Sequence, residues 1–198
     1  MHLYGLIIGI CLLLLLNRLP IKSTKFTIGF LFSTFIGARL YHVADYWWYY
    51  SKHLIEILYT WNGGLGIYGA IIAGFLYLFF YCHYQKYNIL TVLDTITPIL
   101  PLLQAIGRLG NYFNHEIPTW WLEALANISL FILIKFFPQK PTAKYLIGYG
   151  LIRFCFEFTR SDTWTISHIK IAQIISLLLI LSGTFLLLKS KQTIVVNQ

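Results

Sequence analysis

Charge is what this 198-residue chain has least of: only 11% of its residues are Asp, Glu, Lys or Arg, and just seven are acidic. Ordinary globular domains carry about 25% charged residues, so a soluble domain is excluded. Cysteine is sparse too. The three present, Cys11, Cys82 and Cys155, lie within or at the end of apolar runs, show neither metal-ligand spacing nor a disulfide framework, and are expected to be packing thiols. No repeat, low-complexity tract or Pro/Gly/Ser-rich linker interrupts the chain, which predicts one domain over residues 1–198. The first apolar run lacks a basic leader and a small-residue cleavage site, so it is expected to be a retained span.

What fills the space is apolar: 58% hydrophobic and 18% aromatic residues, with a mean hydropathy of +0.67. Seven stretches, 2–16, 26–43, 66–82, 89–106, 119–137, 145–159 and 168–188, stand out. A spanning helix needs about 20 mostly apolar residues. The pattern therefore predicts an all-α polytopic membrane helix bundle of about seven transmembrane helices. The formal net charge of +8 does not signal nucleic acid, because the basic residues lie between the apolar runs rather than in one patch. Arg18, Lys22, Lys25, Lys86, Lys135, Lys140, Lys144, Lys189 and Lys191 all fall at one set of span ends. The positive-inside rule makes those ends cytoplasmic, with the N-terminus outside and the C-terminus inside. The acidic Asp45, Glu56, Glu116, Glu123, Glu157 and Asp162 fall on or near the other side, whereas Asp94, near the inner end of the fourth span, is expected to start a helix or face an interface. The connection from Ala44 to Gly66, with its AlaAspTyrTrpTrpTyrTyr run, is expected to lie along the membrane surface as an aromatic belt.

Ionisable groups inside hydrocarbon need a partner, water or a task, and three polar clusters qualify. The first is WNGGLGIYGAIIAG at 61–74, whose Gly63, Gly64, Gly66, Gly69 and Gly74 serve either close helix packing or close approach to a ligand, with Tyr68 among them. The second is GRLGNYFNHE at 107–116, which gathers Arg108, Asn111, Asn114, His115 and Glu116 at the outer end of the fourth span. A guanidinium fork suits a phosphate or carboxylate, and asparagine amides orient ester or glycerol oxygens. The alternative there is a wet loop in which Arg108 pairs with Glu116. The third is YGLIRFCFEFTRSD, where Arg153, Glu157 and Arg160 share one helical stripe. They form either a self-neutralising ladder or, with Arg108, an anion pocket. Arg39, His2 and Tyr4 add weaker polar signals near outer ends.

These residues resemble the prolipoprotein diacylglyceryl transferase family nearly end to end. HisLeuTyrGlyLeu at 2–6 is similar to its opening signature and makes Tyr4 the functional tyrosine; GlyAlaArg at 37–39 and WNGGLGIYGA at 61–70 resemble the next two. GRLGNYFNHE resembles Gly-Arg-x-Gly-Asn-x-x-Asn-Gly-Glu and implies lipid-binding roles for Arg108, Asn111, Asn114 and Glu116. ProThrTrpTrpLeuGluAla at 118–124 resembles an element with Glu123 in its acidic place, and YGLIRFCFEFTRSD implies essential roles for Arg153 and Glu157. In two places the chain departs from the family. Tyr68 stands where many members have a histidine, and only Ile117 separates Glu116 from Pro118, where the family usually inserts a periplasmic head.

The resemblance implies a transferase of the bacterial inner membrane, a multi-pass protein acting at the outer face. It moves the diacylglyceryl group of phosphatidylglycerol to the lipobox cysteine thiol of a prolipoprotein and releases glycerol phosphate. Catalytic roles are expected for Arg108, Arg153, Glu157, Tyr68 and Tyr4. Substrate binding is expected for Arg108, Asn111, Asn114, Glu116, Arg39, Gly63, Gly64 and Arg160. No metal, organic cofactor or nucleic acid is expected; the partners are phosphatidylglycerol, the lipobox peptide and membrane lipids. The rival reading is a non-catalytic protein that binds or translocates anionic phospholipid.

Overall fold

The computed structural model describes residues 2–114, 118–160, 165–166 and 169–189, without the side chains of residues 2–4, 166 and 169. Each of the seven apolar stretches carries helix: α1 His2–Arg18, α2 Thr24–Asp45, α4 Ile67–Tyr84, α5 Ile89–Ile96 with α6 Leu100–Phe113, α7 Trp120–Phe136, α8 Pro141–Glu157 and α9 Ile171–Leu188. The short α3, Trp47–Tyr50, and two 3₁₀ turns, Leu54–Leu58 and Thr60–Asn62, lie between α2 and α4. Two two-residue strands, β1 Thr165–Ile166 and β2 Ile169–Lys170, pair antiparallel before α9.

Among the described residues, four helical segments are long and apolar enough to cross a membrane: Thr24–Asp45, Ile67–Tyr84, Ile89–Phe113 and Ile171–Leu188. With large side chains such as Phe32, Ile71 and Phe185 more than half exposed, this is a membrane protein whose helices present apolar surface outward.

Two boundaries differ from the sequence reading. The fourth stretch is interrupted between α5 and α6 at Pro98, which has no N–H to donate and disfavours helical geometry in the residue before it. The same helix then continues through Phe113, so GRLGNYF is helical rather than a loop. The sixth helix starts at Pro141, four residues before the expected 145. Proline suits the first helical turn, and Asp94 supplies the missing cap from another helix: its Oδ1 accepts from the Thr142 N–H at 3.2 Å and from Thr142 Oγ1 at 2.5 Å. Asp94 thus does start a helix, though not its own.

The chain divides into two compact units, residues 20–92 and residues 1–19 with 93–198. In the 20–92 unit, α2 packs on α4 through glycine: a Cβ on Gly37 would come within 2.5 Å of the Gly69 carbonyl oxygen. Phe26 fills the other end of this pair, its ring 5.6 Å from Tyr77 and 4.7 Å from Tyr81. Gly69 and Gly74 therefore take the packing role. Cys82 is buried, as a packing thiol should be, but Cys155 in the other unit is exposed.

In the second unit, α6 packs on both α1 and α7, and α8 packs on α7 and α9. Small residues again permit the approach, since a Cβ on Gly150 would meet the Ser176 carbonyl at 2.9 Å. Lysines close the helix ends on the basic side: Lys144 Nζ donates to Phe137 O at the end of α7, and Lys140 Nζ to Lys189 O after α9, both at 2.6 Å.

Candidate functional site

In the unit containing α6 to α9, the polar residues of three helices converge on Glu123. This carboxylate sits in the first turn of α7 with its side chain only 2% exposed. Arg108 Nη2, from α6, approaches Glu123 Oε2 at 2.6 Å, and Arg160 Nη2, just beyond α8, donates to both oxygens at 2.9 and 3.0 Å. Arg108 Nη1 also donates to Asn111 Oδ1 at 3.2 Å, one turn along the same helix. Arg108 thus pairs with Glu123, and the alternative pairing with Glu116 falls outside the described residues. Glu116 and the Tyr4 side chain lie outside the described residues, as does His115.

Arg153 pairs with Glu157 at 2.9 Å, as an i, i+4 spacing on α8 allows. The ladder stops there, because Arg160 turns to Glu123 instead of Glu157. Glu157 is fully buried, and among the described residues neither of its oxygens has the geometry of a hydrogen bond, so Arg153 balances its charge without saturating it. Arg160 Nε is likewise buried, with no acceptor among the described residues. Lys170 Nζ donates to Glu157 O at 2.6 Å and to Arg160 O, tying off the end of α8.

Among the described residues this cluster sets Arg108, Arg153, Arg160 and Lys170 against Glu123 and Glu157, four cations against two carboxylates. The three arginine side chains keep 14–19% of their surface exposed. Excess positive charge on apolar helices, with donor atoms left over, is the electrostatic complement of an anion such as a phosphate ester. Sequence reasoning had not placed Glu123 or Lys170 in the site. The signal for Glu123 was an acidic residue in an otherwise apolar first turn; for Lys170, a basic residue at the end otherwise rich in acids.

The 20–92 unit holds the other predicted residues. Arg39 is 7% exposed, and its fork grips the connection between α2 and α4: Nε donates to Ile57 O at 2.8 Å, Nη1 to Gly63 O and Gly64 O at 2.9 Å, and Nη2 to Glu56 O at 2.6 Å. The guanidinium also lies 5.3 Å from the centre of the Tyr50 ring. Gly63 and Gly64 adopt φ of 92° and 75°, which glycine tolerates without a Cβ penalty. A Cβ at Gly64 would press on Arg39 Nη1 and His42 at 2.6 Å. Arg39, Gly64 and Glu56 border a cavity of about 100 Å³. Tyr49 donates to Glu56 Oε2 at 2.6 Å, a bond that holds the tyrosine proton and raises its pKa. Tyr68 opens α4, 54% exposed, its ring 5.9 Å from that of Tyr41. The exposed Trp47, Trp48 and Trp61 make the connection strongly aromatic on its outside.

Replacing Arg39 with lysine keeps one charge and removes the fork. Protease cleavage between residues 47 and 64 is expected to rise about tenfold in membranes, since several backbone hydrogen bonds of about 1 kcal/mol net each are lost. Unchanged cleavage would show that the connection holds without Arg39.

Among the described residues, three arginines set against two carboxylates on apolar helices mark a cationic site in a membrane protein. Comparison with known proteins narrows the class. The family model for prolipoprotein diacylglyceryl transferase matches residues 1–118 and 116–189, and the chain belongs to that family of enzymes. The two stretches meet at residues 116–118, the point where the expected head insertion is missing. A phosphatidylglycerol–prolipoprotein diacylglyceryl transferase of Streptococcus uberis is 35% identical, the match covering 79% of this chain and 74% of that relative. The protein of the same name from Streptococcus equi subsp. zooepidemicus is 33% identical over 78% of this chain and 73% of its own. That of Streptococcus pyogenes serotype M5 is 34% identical, over 79% and 74%.

Proposed function

We propose that this chain transfers the diacylglyceryl group of phosphatidylglycerol to the cysteine thiol of a prolipoprotein lipobox, forming a thioether and releasing glycerol phosphate. The observation that carries the reading is the surplus of guanidinium around Glu123 and Glu157. The bond that breaks joins the diacylglyceryl carbon to a phosphate oxygen, so negative charge gathers on the departing phosphate. Donors already fixed in a low-dielectric site stabilise that charge without reorganising. Arg108 and Arg153 hold the phosphate in this reading, Arg160 adds an unused donor, and Asn111 and Asn114 orient ester and glycerol oxygens. Glu157 keeps Arg153 in place; Glu123 does so for Arg108 and Arg160.

The thiol proton must leave as well, to a base or through a water relay. Tyrosine, with an ordinary pKa near 10, is a poor base at neutral pH and a good donor or relay. Tyr68 and Tyr4 are assigned that role, and Glu116 a lipid-binding one. Tyr68→Phe is expected to lower turnover about 10- to 100-fold while leaving membrane abundance unchanged, because the ring contact with Tyr41 stays and only the hydroxyl goes. Unchanged turnover would reduce Tyr68 to packing. Gly63 and Gly64 keep their substrate-binding assignment through the connection that Arg39 shapes.

The protein works in this reading as a multi-pass component of the bacterial inner membrane, with the arginine cluster toward the outer face and the N-terminus outside. Support comes from the lysines and Arg18 at the opposite helix ends. The family match spans both units, which supports treating residues 1–198 as one transferase domain. A lipobox peptide incubated with the purified protein in phosphatidylglycerol vesicles tests the reading: its mass is expected to rise by one diacylglyceryl group. A protein that only binds or translocates lipid leaves the peptide mass unchanged.

A further inference from the structure

Directly inward from the arginine cluster, two side-chain amides each hold their nitrogen inside the protein and leave their oxygen without a donor. Gln104 donates through Nε2 to Tyr145 Oη at 2.8 Å, and its buried Oε1 has no hydrogen-bond partner. Asn127, 1% exposed, donates through Nδ2 to Glu123 O at 2.8 Å, and its buried Oδ1 has none either. Asn127 cannot be flipped without breaking the bond that its nitrogen makes, and Gln104, whose hydroxyl partner can donate or accept, keeps one buried polar atom unpartnered in either orientation.

The helix register relates the two. Consecutive helices α6 and α7 pack together, and the Arg108–Glu123 contact fixes their alignment. Running in opposite directions, they place Gln104, four residues before Arg108, level with Asn127, four residues after Glu123. Two buried acceptors thus sit one turn, about 5.4 Å, below the cationic centre. A buried carbonyl oxygen without a donor is costly and uncommon, and no donor among the described residues reaches these two.

We infer that Gln104 Oε1 and Asn127 Oδ1 accept hydrogen bonds from the free hydroxyls of the lipid's glycerol headgroup, and so select a polyol phosphate ester. The inference rests on the transferase reading and adds the specificity of its donor lipid. A glycerol unit hanging from the phosphate carries its hydroxyls on its second and third carbons, a reach comparable with one helical turn. An ammonium headgroup also donates, but among the described residues four cations against two carboxylates at the cluster disfavour it. The acceptors therefore distinguish a neutral diol from an amine and from a headgroup that has no hydroxyl.

The test compares phosphatidylglycerol with phosphatidylpropanol, which lacks both headgroup hydroxyls, as donors to a lipobox peptide. The parental protein is expected to use phosphatidylglycerol at least about tenfold faster, and Asn127→Leu and Gln104→Met each to shrink that advantage severalfold. The ratio is internal to each preparation, so partial loss of folded protein does not alter it; the parental comparison needs no variant at all. Equal use of the two lipids by the parental protein, or variants that slow both lipids alike, overturns the inference while leaving the transferase reading intact. No transfer from either lipid by the parental protein overturns the transferase reading itself.

Discussion

Replacing Glu123 with glutamine is expected to remove most of the folded protein from the membrane. Its carboxylate is 2% exposed and lies against Arg108 at 2.6 Å and Arg160 at 2.9 Å. Removing one partner of a buried pair costs about 3–5 kcal/mol, because the remaining charge stays buried without compensation. Here two guanidiniums lose the same partner. Stabilities of about 5–15 kcal/mol cannot absorb that without a visible loss. The amount of protein surviving detergent extraction and gel filtration measures it, and the Glu123→Gln, Arg160→Gln double variant should recover part of the loss, because one orphaned cation is removed with its partner. A single variant as abundant and as heat-resistant as the parent would mean that Glu123 is not the hub of the cluster.

Exchanging Arg153 and Glu157 should do the reverse, sparing the protein and abolishing its chemistry. The pair is made within one helix at 2.9 Å, so Arg153→Glu with Glu157→Arg keeps the local neutrality. The guanidinium moves by about one turn, 5.4 Å, and a carboxylate takes the position assigned to the phosphate. Transfer is expected to fall at least about 10²- to 10³-fold, the loss typical when a preorganised donor is removed from developing negative charge. Arg153→Lys should fall between, since an ammonium keeps the attraction but not the two-pronged geometry. Near-parental transfer by the exchanged protein, at matched membrane abundance, would leave Arg153 as no more than the balance of Glu157.

Hydrophobic length alone made the seven helical stretches legible, and spacing along one helix made the Arg153–Glu157 pair legible too. Contacts between segments distant in sequence stayed hidden. Nothing local marks Asp94 as the cap of α8, because its partner Thr142 lies 48 residues away. The start of α8 was consequently placed four residues late. The Arg108–Glu123 pair joins two helices, and only the packing of α6 on α7 brings it together. Arg39 entered the expected binding set as a weak polar signal and through the resemblance of GlyAlaArg at 37–39 to a family signature. Its fork closes on four backbone carbonyls, and carbonyl acceptors leave no trace in a sequence. The sharpness of GRLGNYFNHE as a motif came from its polar residues, while its helical conformation through Phe113 followed from the span it extends.

The central claim is that the arginine cluster breaks a phosphate ester only in company with an acceptor thiol. Glycerol phosphate released from headgroup-labelled phosphatidylglycerol, measured with a lipobox peptide and with the same peptide carrying serine for cysteine, tests it most directly. One glycerol phosphate per thioether formed is predicted with the cysteine peptide, and none above background with the serine peptide. Release at the same rate with both peptides, or binding of the lipid with no release from either, would contradict it.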